Sequence, residues 1–393
     1  MVNVPELQNF IACTEAPGRL GSGESFTRMC FGREKTMQHR RTKSLKFLLC
    51  LFLFLLCSPA SPLPAAGPER IFILHSYGKG DICGQPQADG ALAALREAGF
   101  QGSRIAVETY YMDTKGRNNT PKLVAEQGRL ALGRIAAFKP RVLITLDDNA
   151  FGEVALRLVD TPVQIVFSGL NGQPEEYSRK VPFLGSRARP GHNVTGVYEK
   201  LHFAAAVKVQ KKIFPNLRTV RVLSDLSPTG RAIVKQVQLE LAAEKVPVAI
   251  DMKSAGSWEE YQKEIRAADR DSEIGTIYPV ALLLKDAAGK THTAPEILRW
   301  TLAHCRKPDI ALNYAFTSLG LLGGATVDFE AMGRQAGQIA ARILRGEKAG
   351  EIPIEDAQRF ALVFNLNRAR QLGITIPEDI LLAADEIIAA PGK

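Results

Sequence analysis

The chain has 393 residues with 46% apolar and 23% charged side chains, which excludes a disordered polymer and leaves room for about two domains. Its formal charge of +9 is uneven: residues 1–66 hold eight Lys/Arg against four Glu, leaving +5 for the remainder. That remainder has no dense basic run and no nucleic-acid motif, so no nucleic-acid partner is expected.

Residues 37–66 read as a secretory signal. Met37 opens a basic segment, Phe47–Cys57 is an apolar core too short to span a bilayer comfortably, and small residues and prolines follow. Cleavage after Ala60 or Ala66 suits the small-residue rule, and translation is expected to start at Met37. The competing reading is an uncleaved anchor; Leu56 before Cys57 argues against a lipoprotein. Residues 1–66 are therefore taken as removed, and the mature chain as periplasmic. It keeps two cysteines, Cys83 and Cys305, both expected to be unpaired because they fall at opposite edges of α/β layers.

From Arg70 onward strand and helix alternate. Ile71–Leu74 is a strand, Ala91–Ala98 lies in a helix ended by Gly99, and Arg104–Met112 is rich in β-formers. Thr120–Phe138 is an amphipathic helix with Pro121 in its first turn. Strands Arg141–Leu146 and Val163–Phe167 flank a helix over Ala150–Val159. After a Pro/Gly/Ser/Arg-rich stretch at Pro182–Gly191 a second series begins. Its helices are His202–Phe214, Thr229–Lys245, Ser257–Arg270 and Pro295–Arg306. Its strands are Thr219–Leu223, Val246–Met252, Ile274–Tyr278 and Ile310–Asn313. The pattern predicts an α/β protein of two lobes, each a parallel sheet flanked by helices, with a cleft between them. Lobe I takes 67–192 and 328–350; lobe II takes 193–327 and 351–393. Asn193–Val197 and Gly324–Val327 are expected to cross between lobes as hinge strands, and Glu330–Leu344 to return to the first lobe as a helix.

In a parallel sheet, ligands bind past the carboxyl ends of the strands. Those ends carry the candidate site: His75, Ser76 and Tyr77; Asp147, Asp148 and Asn149; Phe167, Ser168, Gly169 and Asn171; then Ser224, Asp225, Tyr278, Asn313 and Tyr314. One of Asp147, Asp148 and Asn149 would cap the following helix, and three polar side chains exceed that need. The aspartates suit an ammonium or several hydroxyls rather than a carboxylate, with Lys79 as a pairing cation. The aromatic residues would wall the ligand, Phe167 being equally at home in the core. The bland alternative is ordinary turn and cap chemistry. No dinucleotide, phosphate-loop, nucleophile-elbow or zinc-protease motif is present, and the histidines show no ligand spacing, so no cofactor or metal is expected. His75 and Asp147 make an acid/base pair without a nucleophile, which leaves an exported α/β enzyme as a minor alternative.

Several segments together resemble a known family. They are HSYG (His75–Gly78), YMDTKGR (Tyr111–Arg117), LDDNAF (Leu146–Phe151), PVQIVFSGLN (Pro162–Asn171), NVTGVYE (Asn193–Glu199), the run Gly324–Lys348, VFN (Val363–Asn365) and LGITIP (Leu372–Pro377). In this order they resemble the ABC-transporter substrate-binding proteins of the type 1 periplasmic-binding fold, related to tryptophan- and phenylalanine-binding members. The resemblance implies a monomeric receptor that closes on a small polar ligand, an amino acid or related metabolite, and presents it to an ABC permease. The alternative partner is a membrane signalling protein for which the chain serves as a sensing accessory.

Overall fold

The computed structural model describes residues 67–389; the expected signal segment and start site lie outside them. The chain opens with β1 (Glu69–His75), α1 (Gly84–Glu97), β2 (Ile105–Tyr111), α2 (Pro121–Phe138), β3 (Val142–Leu146) and α3 (Asp147–Glu153). It continues through β4 (Gln164–Leu170), α4 (Pro174–Ser178) and β5 (Val194–Tyr198). These strands and the short β12 (Glu355–Asp356) make one six-stranded parallel sheet in the order β12-β5-β4-β3-β1-β2. The order reverses around β1 and β3, which places loops from both directions over their carboxyl ends.

Local signals explain the boundaries. Thr120 accepts from the Leu123 amide to cap α2, with Pro121 at the first helical position, and Lys139 ends it in the left-handed region. The apolar run Ile71–Leu74 is fully buried because both sheet faces are covered. One face packs Phe72, Leu74, Phe151, Phe167 and Phe183 together; the other packs Ile71, Ile73 and Val166 against α1 and a helix from far along the chain.

The second half holds α5 (Phe203–Ile213), β6 (Thr219–Asp225), α6 (Pro228–Ala243), β7 (Ala249–Ala255), α7 (Trp258–Arg270) and β8 (Ile274–Pro279). A hairpin of β9 (Leu283–Lys285) and β10 (Thr291–Thr293) leads into α8 (Ala294–His304), α9 (Tyr314–Ser318) and β11 (Gly323–Val327). Then follow α10 (Phe329–Leu344), β13 (Phe360–Asn365), α11 (Leu366–Leu372), α12 (Glu378–Leu382) and β14 (Glu386–Ile388). Strands β7-β6-β8 form a parallel sheet, and β11-β13-β14 a second one that is mixed, with β11 antiparallel to β13. The expected strand Ile310–Asn313 is no strand: single bridges Ile277–Asp309 and Asn313–Val327 stitch that segment between β8 and β11. The buried ion pair Arg368–Asp309, at 2.8 Å, ties the tail helix α11 to the same segment.

Helix α10 returns to the first half as expected. A Cβ on Gly333 would lie 2.0 Å from the Gln87 carbonyl oxygen and one on Gly337 2.4 Å from that of Ala91, so α10 and α1 touch backbone to backbone. Two expectations need correction. Val194–Tyr198 pairs with β4 and β12, so residues taken as the opening of the second lobe belong to the first sheet, and the chain leaves that sheet only at Glu199–His202. Gly324–Val327 pairs wholly within the second half, and the return comes at Asp328. A further passage runs through Ala357–Arg359, between β12 and β13. The sequence reading took both strands as crossings because hydrophobic runs mark where strands are, not which sheet recruits them.

Candidate functional site

The carboxyl ends of β1, β3, β4 and β5 are bound together by side chains. The Ser76 hydroxyl donates to the Leu146 carbonyl at 2.7 Å and accepts from the Ala150 amide at 2.8 Å, fixing the start of α3 to β1. Thr114 donates to the Ser76 carbonyl at 2.8 Å, and Asn149 Nδ2 donates to Thr114 Oγ1 at 2.8 Å. Asp148 accepts from the Asn171 amide and its Nδ2, both at 3.1 Å, from the Gly172 amide at 3.0 Å and from the Tyr177 hydroxyl at 2.7 Å. Ser168 donates to Gln87 Oε1 at 2.7 Å. Gly169 has φ +77° and a Cβ there would meet Gln87 at 2.7 Å, so this position excludes a side chain on both counts. Phe167 is fully buried, edge-on to Phe151 at 5.3 Å, and belongs to the core.

Asp147, Asp148 and Asn149 are not caps. Helix α3 begins on Asp147 itself, and the residue ahead of it is Leu146, which supplies no side-chain bond. Asp147 takes φ +67°, a strained setting for a non-glycine residue and one that concentrates at functional sites. It is 2% exposed and its Oδ2 has no hydrogen-bond partner. Burial foremost, with Glu199, Asp81 and Asp148 adding to it against Lys115, holds its carboxyl well above the usual range. Beside it His75 is 1% exposed with neither ring nitrogen partnered. Burial lowers its imidazole to about 4, so it is neutral at physiological pH.

The sequence reading missed Glu199, Lys115 and Cys83. Glu199 follows β5 in the passage to the second half, is 3% exposed, and is pushed up to about 8, chiefly by burial and then by Asp148. Lys115, not the exposed Lys79, is the cation here. Its ammonium lies 3.6 Å from Asp81 Oδ2, 3.4 Å over the Tyr77 ring centroid and 3.9 Å from Cys83 Sγ. Burial lowers its pKa, and Cys83, Asp81 and Asp147 more than reverse that. Burial pushes the Cys83 thiol and the Tyr77 phenol up. Cys83 and Cys305 are both free, as expected. The segments HSYG, YMDTKGR and NVTGVYE contained Tyr77, Lys115 and Glu199; what the sequence lacked was the fold that brings them together.

In the second half the candidates divide. The Ser224 hydroxyl donates to the Gly230 carbonyl at 3.1 Å. Asp225 accepts from the amides of Ser227 at 2.8 Å, Leu282 at 2.6 Å and Leu283 at 3.1 Å, which anchors the β9–β10 hairpin. Asn313 caps α9 through the Phe316 amide at 3.0 Å. These three serve local turns. Tyr278 is 1% exposed and packs on Phe203 at 5.1 Å; burial, then Glu240 and Glu199, raise its phenol. Tyr314 is half-buried against Phe329, and burial, then Cys83 of the first half, raise its phenol. At the passage between halves, Gln236 Nε2 of α6 donates to the Tyr198 hydroxyl at 2.7 Å and to the Glu199 carbonyl at 2.6 Å. Two surface cavities lie elsewhere, one of about 280 Å³ beside Glu175 and Arg187, the other of about 290 Å³ beside Arg299 and Arg368. Among the described residues no helix is long and apolar enough to cross a membrane, and no cluster of three or more His, Cys, Asp or Glu side chains is arranged to hold a metal ion.

Comparison with known proteins gives this arrangement a family. A tyrosine-binding protein of Clostridioides difficile (strain R20291) is 20% identical over 189 residues, 48% of this chain and 52% of the relative, so the chain spans about half the length of the curated relative it matches. The solved ABC domain from Streptococcus pneumonia in complex with L-Trp aligns over 82% of this chain and all of its own, at 19% identity and TM-score 0.62. The ligand-free, open structure of a substrate binding protein with adhesive properties from Clostridium difficile aligns over 82% of this chain and all of its own, at 16% identity and TM-score 0.61. These likenesses establish the two-lobed fold of parallel sheets flanked by helices. Residues 181–388, more than half the chain, match the family described as ABC transporter substrate binding protein, and the chain belongs to that family.

Proposed function

We propose that this protein is an exported solute receptor. It captures a small polar ligand between its first half (residues 67–198, with α10 and β12) and its second half, and presents the closed form to an ABC permease. The observation that carries the reading is the set of buried polar groups without partners at the carboxyl edge: Asp147 Oδ2 and both nitrogens of His75. A buried polar atom without a partner costs free energy, and a binding site is where such a cost is offset by a ligand. The passages at Glu199–His202, Asp328 and Ala357–Arg359 supply the hinge, with Gln236 bonded across the first of them. The tyrosine-binding relative and the L-Trp complex favour an amino acid or a related amine-bearing metabolite as cargo.

The receptor returns its ligand unchanged. Cys83 is the thiol of this cluster, 3.9 Å from the Lys115 ammonium, and burial keeps it protonated, which leaves it unreactive. Native mass spectrometry of the exported chain tests the reading. The expected result is one small molecule bound per chain, recovered intact on unfolding. A bound species converted to another compound on incubation, or a chain that binds no small molecule, overturns it.

A further inference from the structure

The carboxylates at the cleft edge outnumber the cations that serve them. Asp81, Asp147, Asp148 and Glu199 all act on this edge, and Lys115 is the cation that acts on both Asp147 and Glu199. Asp148 is occupied by its four donors. Asp81 Oδ1 accepts from the amides of Cys83 at 2.9 Å and Gly84 at 3.1 Å, and its other oxygen faces Lys115. Lys115 is in turn held over the Tyr77 ring. Asp147 and Glu199 remain: both are nearly fully buried, Asp147 Oδ2 has no hydrogen-bond partner, and among the described residues neither carboxylate makes an ion pair. His75 Nδ1, Asp147 Oδ2 and Asp81 Oδ1 converge beside Gly84, lying 3.2, 3.8 and 3.9 Å from the point where a side chain on it would begin.

We propose that Asp147 and Glu199 form the seat of a protonated amine on the ligand, and that the receptor takes small organic amines in preference to amino-acid zwitterions. This deepens the receptor reading above and rests on it. An ammonium brings three N–H donors and a full positive charge to two buried carboxyls that burial keeps protonated in the ligand-free chain, so they ionise and release protons as the amine binds. The neutral His75 ring offers one further acceptor at the same place. A ligand carboxylate gains nothing comparable, because it would have to draw Lys115 away from Asp81 and Tyr77 while facing Asp147 and Glu199. Tyr77, Tyr278 and Tyr314, around the same edge, suit an apolar or aromatic body on the amine.

The test uses two trios that share a skeleton: tyramine, L-tyrosine and 3-(4-hydroxyphenyl)propionate; isoamylamine, L-leucine and 4-methylpentanoate. Each is titrated calorimetrically into the ligand-free exported chain. The expected result, in at least one trio, is an amine bound about tenfold or more tightly than its amino acid, with no binding of the deaminated acid. Glu199→Gln and Asp147→Asn should each weaken the amine about ten- to a hundredfold, the worth of a charge-assisted hydrogen bond. An amino acid bound as tightly as its amine, binding of either acid, or amine affinities within twofold of the parent in both variants overturns the proposal. So does failure of both amines to bind. The comparison on the unsubstituted chain stands whether or not a variant folds. Binding of an amino acid or acid that both substitutions leave untouched removes the amine seat and keeps the receptor reading; a chain that captures nothing removes both.

Discussion

Glu199→Gln should make the ligand-free protein more stable at alkaline pH and flatten the dependence of its stability on pH. The Glu199 carboxyl is held at about 8 against an ordinary 4.5, chiefly by burial. The native state therefore binds a proton that the unfolded chain has released, and stability falls as pH rises through that window. The contribution is fully present below about 4.5 and lost by about 8. A displacement of this size corresponds to something on the order of 5 kcal/mol, of which about 3 kcal/mol falls between pH 5.5 and 8.5. Glutamine keeps the shape and cannot ionise, so the variant lacks this slope and retains that due to Asp147, whose carboxyl is raised in the same direction. Urea denaturation followed by the fluorescence of Trp258 and Trp300, at six or seven pH values, measures both curves. The expected result is a gap between variant and parent that widens by about 3 kcal/mol from pH 5.5 to 8.5. Parallel curves, separated by the same amount at every pH, would refute the claim that Glu199 is buried without an ion-pair partner.

Two further outcomes follow from the packing. Gly333→Ala or Gly337→Ala drives a methyl into the backbone of α1, at 2.0 Å from the Gln87 oxygen or 2.4 Å from that of Ala91. The cost should reach or pass the upper end of about 1–3 kcal/mol, read as a lower melting temperature; an unchanged melting temperature would contradict the α1–α10 contact. Asp148→Ala leaves the Asn171 and Gly172 amides and the Tyr177 hydroxyl without their acceptor, so it should cost stability of about 1–3 kcal/mol before any effect on ligand is considered. Parental stability in that variant would mean that Asp148 is free for ligand after all.

The alternation of strand and helix, and the return of Glu330–Leu344 to the first half, were legible because buried parallel strands and an amphipathic helix leave long, regular patterns. The polar strand ends were legible too, but their employment was not. Ser224, Asp225 and Asn313 look in sequence like Asp147, yet each is consumed by nearby backbone, Ser224 by the Gly230 carbonyl and Asp225 and Asn313 by the amides of Ser227 and Phe316. Which strand-end polar group is left over depends on loops that fold back from elsewhere, such as Leu282–Leu283 onto Asp225. The helix at Asp147 illustrates the same limit. Cap rules place polar residues before a helix, whereas here the left-handed turn of Asp147 lets the helix start directly on the strand end. Glu199 escaped notice because a lone acidic residue after a strand reads as surface, whereas here it is 3% exposed and its carbonyl is bonded by Gln236 of the second half.

The central claim is that ligand sits between the carboxyl ends of the two halves, held from Asp147, His75 and Glu199 on one side and facing Tyr278 and Tyr314 on the other. A crystal structure of the protein with the molecule that co-purifies with it tests this most directly. The account predicts electron density beside Gly84, with a polar atom of the ligand within hydrogen-bond distance of Asp147 Oδ2. Density instead in the cavity beside Glu175 and Arg187, or in the one beside Arg299 and Arg368, with no ligand beside Gly84, would contradict it.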